Sequence, residues 1–281
     1  MSRSIAEFIG WDHRCHPRKW RDELAVVCEV KYDGHRMSVW RDECDEFAAY
    51  GRKTHRENLW TKLFDCLVKE DSEKIAKFPR NTVLDGEIYI PNDHSSSVAT
   101  SLAKGIPNVR FQPFACPFVA GVDCRPVSFQ SRDDLLMSLG FDPPQELSEW
   151  PEDELSLQLL AEEANIEGFV LKQAHYRGWY KVKRVHTVDA IVLNCEAGKG
   201  KHRGRIGALH LALFDGDELV GIGKVGIGND SMWRDQKPDE CIGRCVEVAH
   251  EGLLRNGRLR FPRFVRWRDD KEPLECGPEQ L

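Results

Sequence analysis

The chain has 281 residues, 41% hydrophobic and 31% charged, with a formal net charge of −6. That is enough for one large domain or two smaller ones around a sizeable core, and no run approaches the roughly 20 apolar residues that span a bilayer. The N-terminus lacks an apolar leader core and the ten cysteines contain no C-x-x-C pair, which speaks against secretion and a structural zinc site and for reduced thiols in the cytoplasm.

Before Leu24 the chain reads as a lead-in, with a helix expected over Pro17–Glu23 because proline suits a first helical turn. His13-Arg14-Cys15-His16 has metal-ligating residue types but reads better as a surface segment. Leu24-Ala25-Val26-Val27-Cys28 is a short buried strand. It runs into Glu29-Val30-Lys31-Tyr32-Asp33-Gly34-His35-Arg36, where Asp33-Gly34 supplies turn chemistry for a hairpin. The alternating run Arg36–Trp40 is the returning strand. Lys31 is thus expected at a rigid strand-to-turn corner. A lysine held there serves as a nucleophile if desolvation and neighbouring cations suppress its charge, and is otherwise an ordinary surface lysine.

A third strand is expected over Asp45–Tyr50, ending at the basic turn Gly51-Arg52-Lys53-Thr54-His55-Arg56. That turn is either a solvated loop or a phosphate clamp, since arginine offers a bidentate fork to phosphate oxygens. Glu57–Lys69 has helical spacing of Leu59, Leu63, Phe64 and Leu67. Thr82–Ile90 is an apolar strand carrying Asp85-Gly86-Glu87, and a carboxylate inside a core costs several kcal/mol unless paired or bound to something polar. Ser95–Gly105 reads as a helix with a serine cap and a glycine stop, and Phe111–Cys116 as an aromatic-bearing strand.

From Asp133 to Leu171 there are eleven acidic residues and no Lys, Arg or His, which leaves 35 acids against 40 lysines and arginines elsewhere. One face is acidic and the remainder mildly basic, which constrains how a polyanion is oriented. Two helices are expected in this span, Asp133–Leu139 and Asp153–Ala164, as a solvated outer layer without chemistry. Asn165-Ile166-Glu167-Gly168-Phe169-Val170-Leu171-Lys172 opens another strand with a carboxylate beside glycine. Trp179-Tyr180-Lys181-Val182-Lys183 puts two lysines on one face of a strand, an unfavourable pairing unless an anion lies between them. After a boundary near Arg184–Thr187, strands recur over Asp189–Cys195, Ile206–Phe214, Glu218–Lys224, Ile242–Ala249 and Leu259–Trp267, with Asn256-Gly257 marking a hairpin before the last. Cys241 and Cys245 fall on one of those strands. Five short strands in this span suggest an oligonucleotide-binding barrel. Its glycine-rich loop Gly198–Arg205 carries Lys199, Lys201, Arg203 and Arg205, suited to tracking a phosphate backbone. Alternation sends Arg260, Arg266 and Arg268 to one side of the final strand.

These stretches, in this order, resemble the motifs of the covalent nucleotidyltransferases, in the form found in ATP-dependent DNA ligases. The resemblance implies an α+β chain: a nucleotidyltransferase domain of mixed or antiparallel sheets with packing helices over residues 1–186, then a small OB-fold barrel over 187–281. It implies that Lys31 attacks the α-phosphate of ATP, with Asp33 and Arg36 of the same motif and Lys181 and Lys183 completing the catalytic set. ATP contacts fall on Glu29 (the adenine amine), Arg36, Glu87, Phe114 (the stacking ring), Glu167, Lys181, Lys183, and Arg260, Arg268 and Lys271 toward pyrophosphate. Glu87 and Glu167 are the carboxylates on the Mg²⁺ or Mn²⁺ side. Arg52, Lys53 and Arg56, with the Lys199–Arg205 loop, face nicked duplex DNA. Ala115 departs from the pattern, which usually has aspartate after the aromatic residue. The expected protein is a monomeric, non-membrane ligase. The alternatives are an RNA ligase or capping guanylyltransferase, which differ in barrel, last motif or nucleotide, and a nick-binding protein without catalysis, which requires a lost catalytic residue.

Overall fold

A computed structural model describes residues 25–51, 57–173, 179–227 and 238–281. The chain forms two compact units, Met1–Lys183 and Arg184–Leu281. The expected lead-in helix and the turn bearing Arg52, Lys53 and Arg56 lie outside the described residues.

The first unit contains two antiparallel sheets. One has the order β1-β7-β8, from β1 (Ala25–Val30), β7 (Gly168–Gln173) and β8 (Trp179–Lys183). The other is β3-β2-β4-β5-β6, from β2 (Gly34–Arg41), β3 (Phe47–Gly51), β4 (Thr82–Tyr89), β5 (Arg110–Val119) and β6 (Val122–Asp123). The expected β1–β2 hairpin does not form. β1 pairs with β7, β2 pairs with β3 and β4, and Asp33-Gly34 is where the chain leaves one sheet for the other. Gly34 is needed there for room: a Cβ would overlap the Ile88 carbonyl and lie 2.9 Å from Glu87 Cγ.

Alternation assigns opposite work to the two faces of the small sheet. Cys28, Phe169, Leu171 and Val182 are buried with Leu157 and Ala161 of a covering helix, α5 (Glu154–Glu163). The other face carries Glu29, Lys31, Lys172, Trp179, Lys181 and Lys183, because Val27 is opposite Lys172, Lys172 opposite Trp179 and Gly168 opposite Lys183. In the larger sheet Met37, Val39, Leu84 and Ile88 pack under α1 (Trp60–Cys66), α2 (Lys69–Ile75) and α3 (Ser95–Lys104). α4 (Phe129–Ser138) packs its buried Leu136 into the same core. The helix expected over 57–69 spans only Trp60–Cys66, because Leu67 turns extended (φ −66°, ψ 142°) and bridges Val109, whose N–H reaches the Cys66 carbonyl at 2.9 Å. α3 stops at left-handed Gly105 (φ 64°) as its sequence indicates. Its start is not capped by serine: the Asp93 carboxylate accepts from His94 N and Ser97 Oγ, both at 2.8 Å.

Gly168 joins β7 to Glu167 with φ 148°, and a Cβ there would overlap the Val182 carbonyl and sit 2.8 Å from Lys183 Cα. Gly168→Ala should therefore destabilise the first unit by about 3 kcal/mol or more. A thermal melt within a degree of the parent's would refute this.

The second unit is one antiparallel sheet of order β11-β10-β9-β12-β13, made of β9 (His186–Ala197), β10 (Ile206–Asp215), β11 (Glu218–Gly226), β12 (Cys245–His250) and β13 (Arg263–Trp267). It curls toward closure, with Leu259 N–H donating to the Ile222 carbonyl at 2.9 Å, around Val192, Leu209, Leu211, Val246 and Trp267. Two expectations shift. Cys241 ends a short helix, α6 (Pro238–Cys241), and left-handed Gly243 (φ 83°) separates it from Cys245 on β12. The last strand starts at Arg263 because Phe261 has φ 49°, which removes Arg260 from the alternating run.

Candidate active site

Lys31 sits just past β1, its N–H bonded to the Gly168 carbonyl at 2.9 Å. Its ammonium donates to Glu167 Oε2, and the other oxygen, Oε1, holds Lys183 Nζ at 2.9 Å. One carboxylate therefore bridges the lysines of two separate strands. The ionic contact of Lys31 is a carboxylate, and the Lys183 ammonium lies on the far side of it. An ammonium has no lone pair for attack, and Glu167 is the group in contact that can receive its proton.

On the larger sheet, Arg36 and Glu87 are direct cross-strand partners, as are Ser38 and Asp85. Fully buried Asp85 accepts from Arg36 Nε at 3.0 Å, from its Nη2, and from Ser38 Oγ at 3.4 Å. This fixes the Arg36 guanidinium. The Glu87 carboxyl is pushed up to about 7, chiefly by burial; Lys31 opposes this, the Glu167 charge adds to it, and Lys181 and Arg36 oppose it. Glu87 and Glu167 thus face a shared cluster of cations. As hard oxygen donors they fit Mg²⁺, which takes one or two carboxylates and completes its shell with water and phosphate. Among the described residues no group of three or more His, Cys, Asp or Glu is arranged to hold a metal.

Phe114 meets Trp179 edge-on, with ring centroids 5.5 Å apart, and the Arg36 guanidinium lies 5.7 Å from its centroid. Trp179 and Ala115 share a small buried cluster, so the residue that departs from the motif is where the indole packs. Asp33 turns to His94, 3.4 Å from Nδ1. Glu29, 3% exposed, is ion-paired with Lys172, 1% exposed. The sequence passed over Lys172 because its partner lies 143 residues away.

The acidic span is not wholly an outer layer. Residues 145–147 run along β1, with Val30 N–H on the Gln145 carbonyl at 2.8 Å and Leu147 N–H on the Cys28 carbonyl at 2.9 Å. Glu146 bridges Glu29. Burial and then the charges of Glu146 and Glu29 push the Asp133 carboxyl up to about 7, with Lys172 opposing. A carboxyl raised from 3.8 holds its proton longer in the folded chain, so stability falls as pH rises from about 4 to about 7 and is level above. Asp133→Asn should be more stable than the parent at pH 8 by roughly 1–2 kcal/mol after solvent screening, and the gap should close near pH 4. Urea melts at both pH values measure it; equal midpoint shifts at the two would contradict it.

In the second unit, Arg268 Nη1 contacts both oxygens of Asp189 at 2.8 and 2.7 Å, and Lys271 Nζ contacts Oδ2 at 2.7 Å. Arg268 also grips Asp270, holding that carboxyl at about 2. Arg266 pairs with its cross-strand neighbour Glu247 at 2.7 Å. Buried Arg260 is the departure from the expected row, its guanidinium 5.2 Å from the Phe261 ring. Asp189 was not singled out in the sequence, where it is one acid in an apolar strand. Lys199, Arg203 and Arg205 are exposed on the β9–β10 loop, which is pinched by Gly198 N–H on the Arg205 carbonyl at 2.8 Å.

Comparison with known proteins matches residues 18–107 to an ATP dependent DNA ligase domain and residues 197–268 to a DNA ligase OB-like domain. Among curated relatives, a probable DNA ligase of Mycobacterium marinum is 38% identical over 123 residues, covering 35% of this chain and 24% of its own. One of Streptomyces avermitilis is 35% identical over 140 residues, covering 39% and 27%. The chain thus spans about a quarter of the length of these relatives. A solved structure from work on Lig E DNA ligases, described as binding DNA with a minimal scaffold, superposes with TM-score 0.68 at 22% identity over 92% of this chain and all of that one. The structure Pmar-Lig_PreS3 gives 0.66 at 18% over 86% and 63%. Both share the fold. Among the described residues no helix is long and apolar enough to cross a membrane.

Proposed function

The chain belongs to the ATP-dependent DNA ligase family, and on that premise we propose that it seals nicks in duplex DNA as a monomer, through an adenylated Lys31. The observation that carries this is Glu167 bridging Lys31 and Lys183, on the sheet face that also presents Glu29 and Lys181. In the first step the unprotonated Lys31 amine attacks the α-phosphorus of ATP. A P–N bond forms, the P–O bond to pyrophosphate breaks, and the Nζ proton passes to Glu167 or water. The 5′-phosphate of the nick then displaces Lys31 from AMP, and the 3′-hydroxyl displaces AMP to close the strand. Each step places charge on phosphorus oxygens, so fixed cations do the stabilising; Lys181, Lys183 and Arg36 are those cations here. Glu29 accepts from the adenine amine and Phe114 stacks on the base. Glu87 and Glu167 would hold Mg²⁺ or Mn²⁺, which would supply further neutralisation of the triphosphate. Arg260, Arg268 and Lys271 orient the departing pyrophosphate, with Asp189 the counter-ion of the last two between turnovers. Arg52, Lys53, Arg56 and the Lys199–Arg205 loop contact the DNA backbone.

The test is incubation of the purified protein with nucleotide labelled on the α-phosphate, followed by a nicked duplex. A labelled protein band from ATP and a sealed strand are expected. No band from ATP, or a band from GTP alone, overturns the reading.

A further inference from the structure

We propose that Lys172 is the residue that sets the nucleotide preference of this site, by fixing Glu29 as an oriented, acceptor-only carboxylate. The inference rests on the ligase reading and assigns a role to a side chain outside the family contacts named above. Glu29 and Lys172 lie on the chemistry-bearing face of the small sheet, one step apart diagonally, since Glu29 is opposite Val170 and Lys172 is opposite Val27. Both are almost completely buried, and they are ion-paired. A buried charge is costly without a partner, so neither position is a solvated surface site.

The same ammonium lies 4.3 Å from the Trp179 ring centroid and 5.6 Å from that of Phe114. It is therefore tied at once to the proposed base-stacking ring and to the proposed base-edge reader. Burial, and the Glu146 charge, favour protonation of Glu29, while Lys172 and then Arg132 oppose it. The balance leaves the Glu29 carboxyl raised, so it is the contact itself, the Lys172 ammonium donating to Glu29 Oε1, that holds Glu29 as a carboxylate with lone pairs and no proton. An acceptor-only group pairs with the exocyclic amine of adenine and sets acceptor against acceptor with the carbonyl of guanine. Without the ammonium, a neutral Glu29 carboxyl has both a donor and acceptors and accommodates either base.

The experiment compares self-labelling from ATP and from GTP, each over a full concentration series, in three proteins: the parent, Lys172→Met, and the double variant Glu29→Gln/Lys172→Met. The double variant removes both charges together and leaves no unpaired buried ion, so it keeps a folded protein in the comparison; melting curves verify this. The ATP-to-GTP ratio of labelling efficiency should fall at least about 10-fold in both variants, chiefly through weaker ATP binding and gained GTP use. A merely structural role for Lys172 would lower labelling from both nucleotides together. An unchanged ratio in the folded double variant therefore overturns the inference while leaving the ligase reading standing. A parent protein that takes no label from ATP overturns that reading, and the inference with it.

Discussion

Lys31→Ala and Lys31→Arg should each lose self-labelling from ATP by at least about 10⁴-fold, to the background of the assay. The two variants fail for different reasons, and that makes the pair informative. Alanine removes the nucleophile. Arginine keeps the positive charge and can still pair with Glu167, but a guanidinium does not give up its proton to attack phosphorus. Neither change should unfold the protein, because Glu167 retains Lys183 at 2.9 Å after Lys31 is gone. Loss in alanine with retention in arginine would mean that Lys31 acts as a fixed charge. An acid-stable label on the alanine variant would place the adenylate on some other residue and remove the central step.

What the sequence discloses and what it withholds divide along a physical line. Period-2 alternation puts Lys181 and Lys183 on one face of β8, because side-chain direction is a local property of a strand. Gly105 is legible as a helix stop for the same reason, since its left-handed conformation is set within one turn. Which strand lies beside β1 is not local. Its partner β7 is far along the chain, so the Asp33-Gly34 turn signal was read as a hairpin when it marks a passage between sheets. The ion pairs that organise the site are likewise remote, 136 residues apart for Lys31 and Glu167 and 143 for Glu29 and Lys172. Composition misled over the acidic span: eleven acids without a base suggest a solvated face, yet the Glu146 backbone pairs with Glu29 and Asp133 is pushed up by burial and then by the Glu146 charge. A single backbone reversal at Phe261 took Arg260 out of the expected row, and a phenylalanine gives no local warning of positive φ.

DNA binding should be the salt-labile half of the activity. Lys199, Arg203 and Arg205 are exposed on the β9–β10 loop, and the Gly198–Arg205 hydrogen bond of 2.8 Å fixes the loop's base. A backbone pinched in this way holds its cations at set spacings. With about five phosphate contacts, log affinity falls by roughly 0.9 per contact per decade of salt, so raising salt from 50 to 200 mM should weaken DNA binding roughly 10²-fold to 10³-fold. Self-labelling uses no DNA and relies on cations held in ion pairs such as Lys183–Glu167, which salt screens less. Sealing of a nicked duplex should therefore collapse over that range while labelling from ATP declines far less. Replacing Lys199, Lys201 and Arg203 together by alanine should flatten the salt slope by about two to three units, with label formation intact. Lys199 and Arg203 are exposed, and lost binding in the triple variant cannot be put down to unfolding when labelling persists. Equal salt sensitivity of the two activities, or an unchanged slope in the triple variant, would show that the duplex is gripped elsewhere.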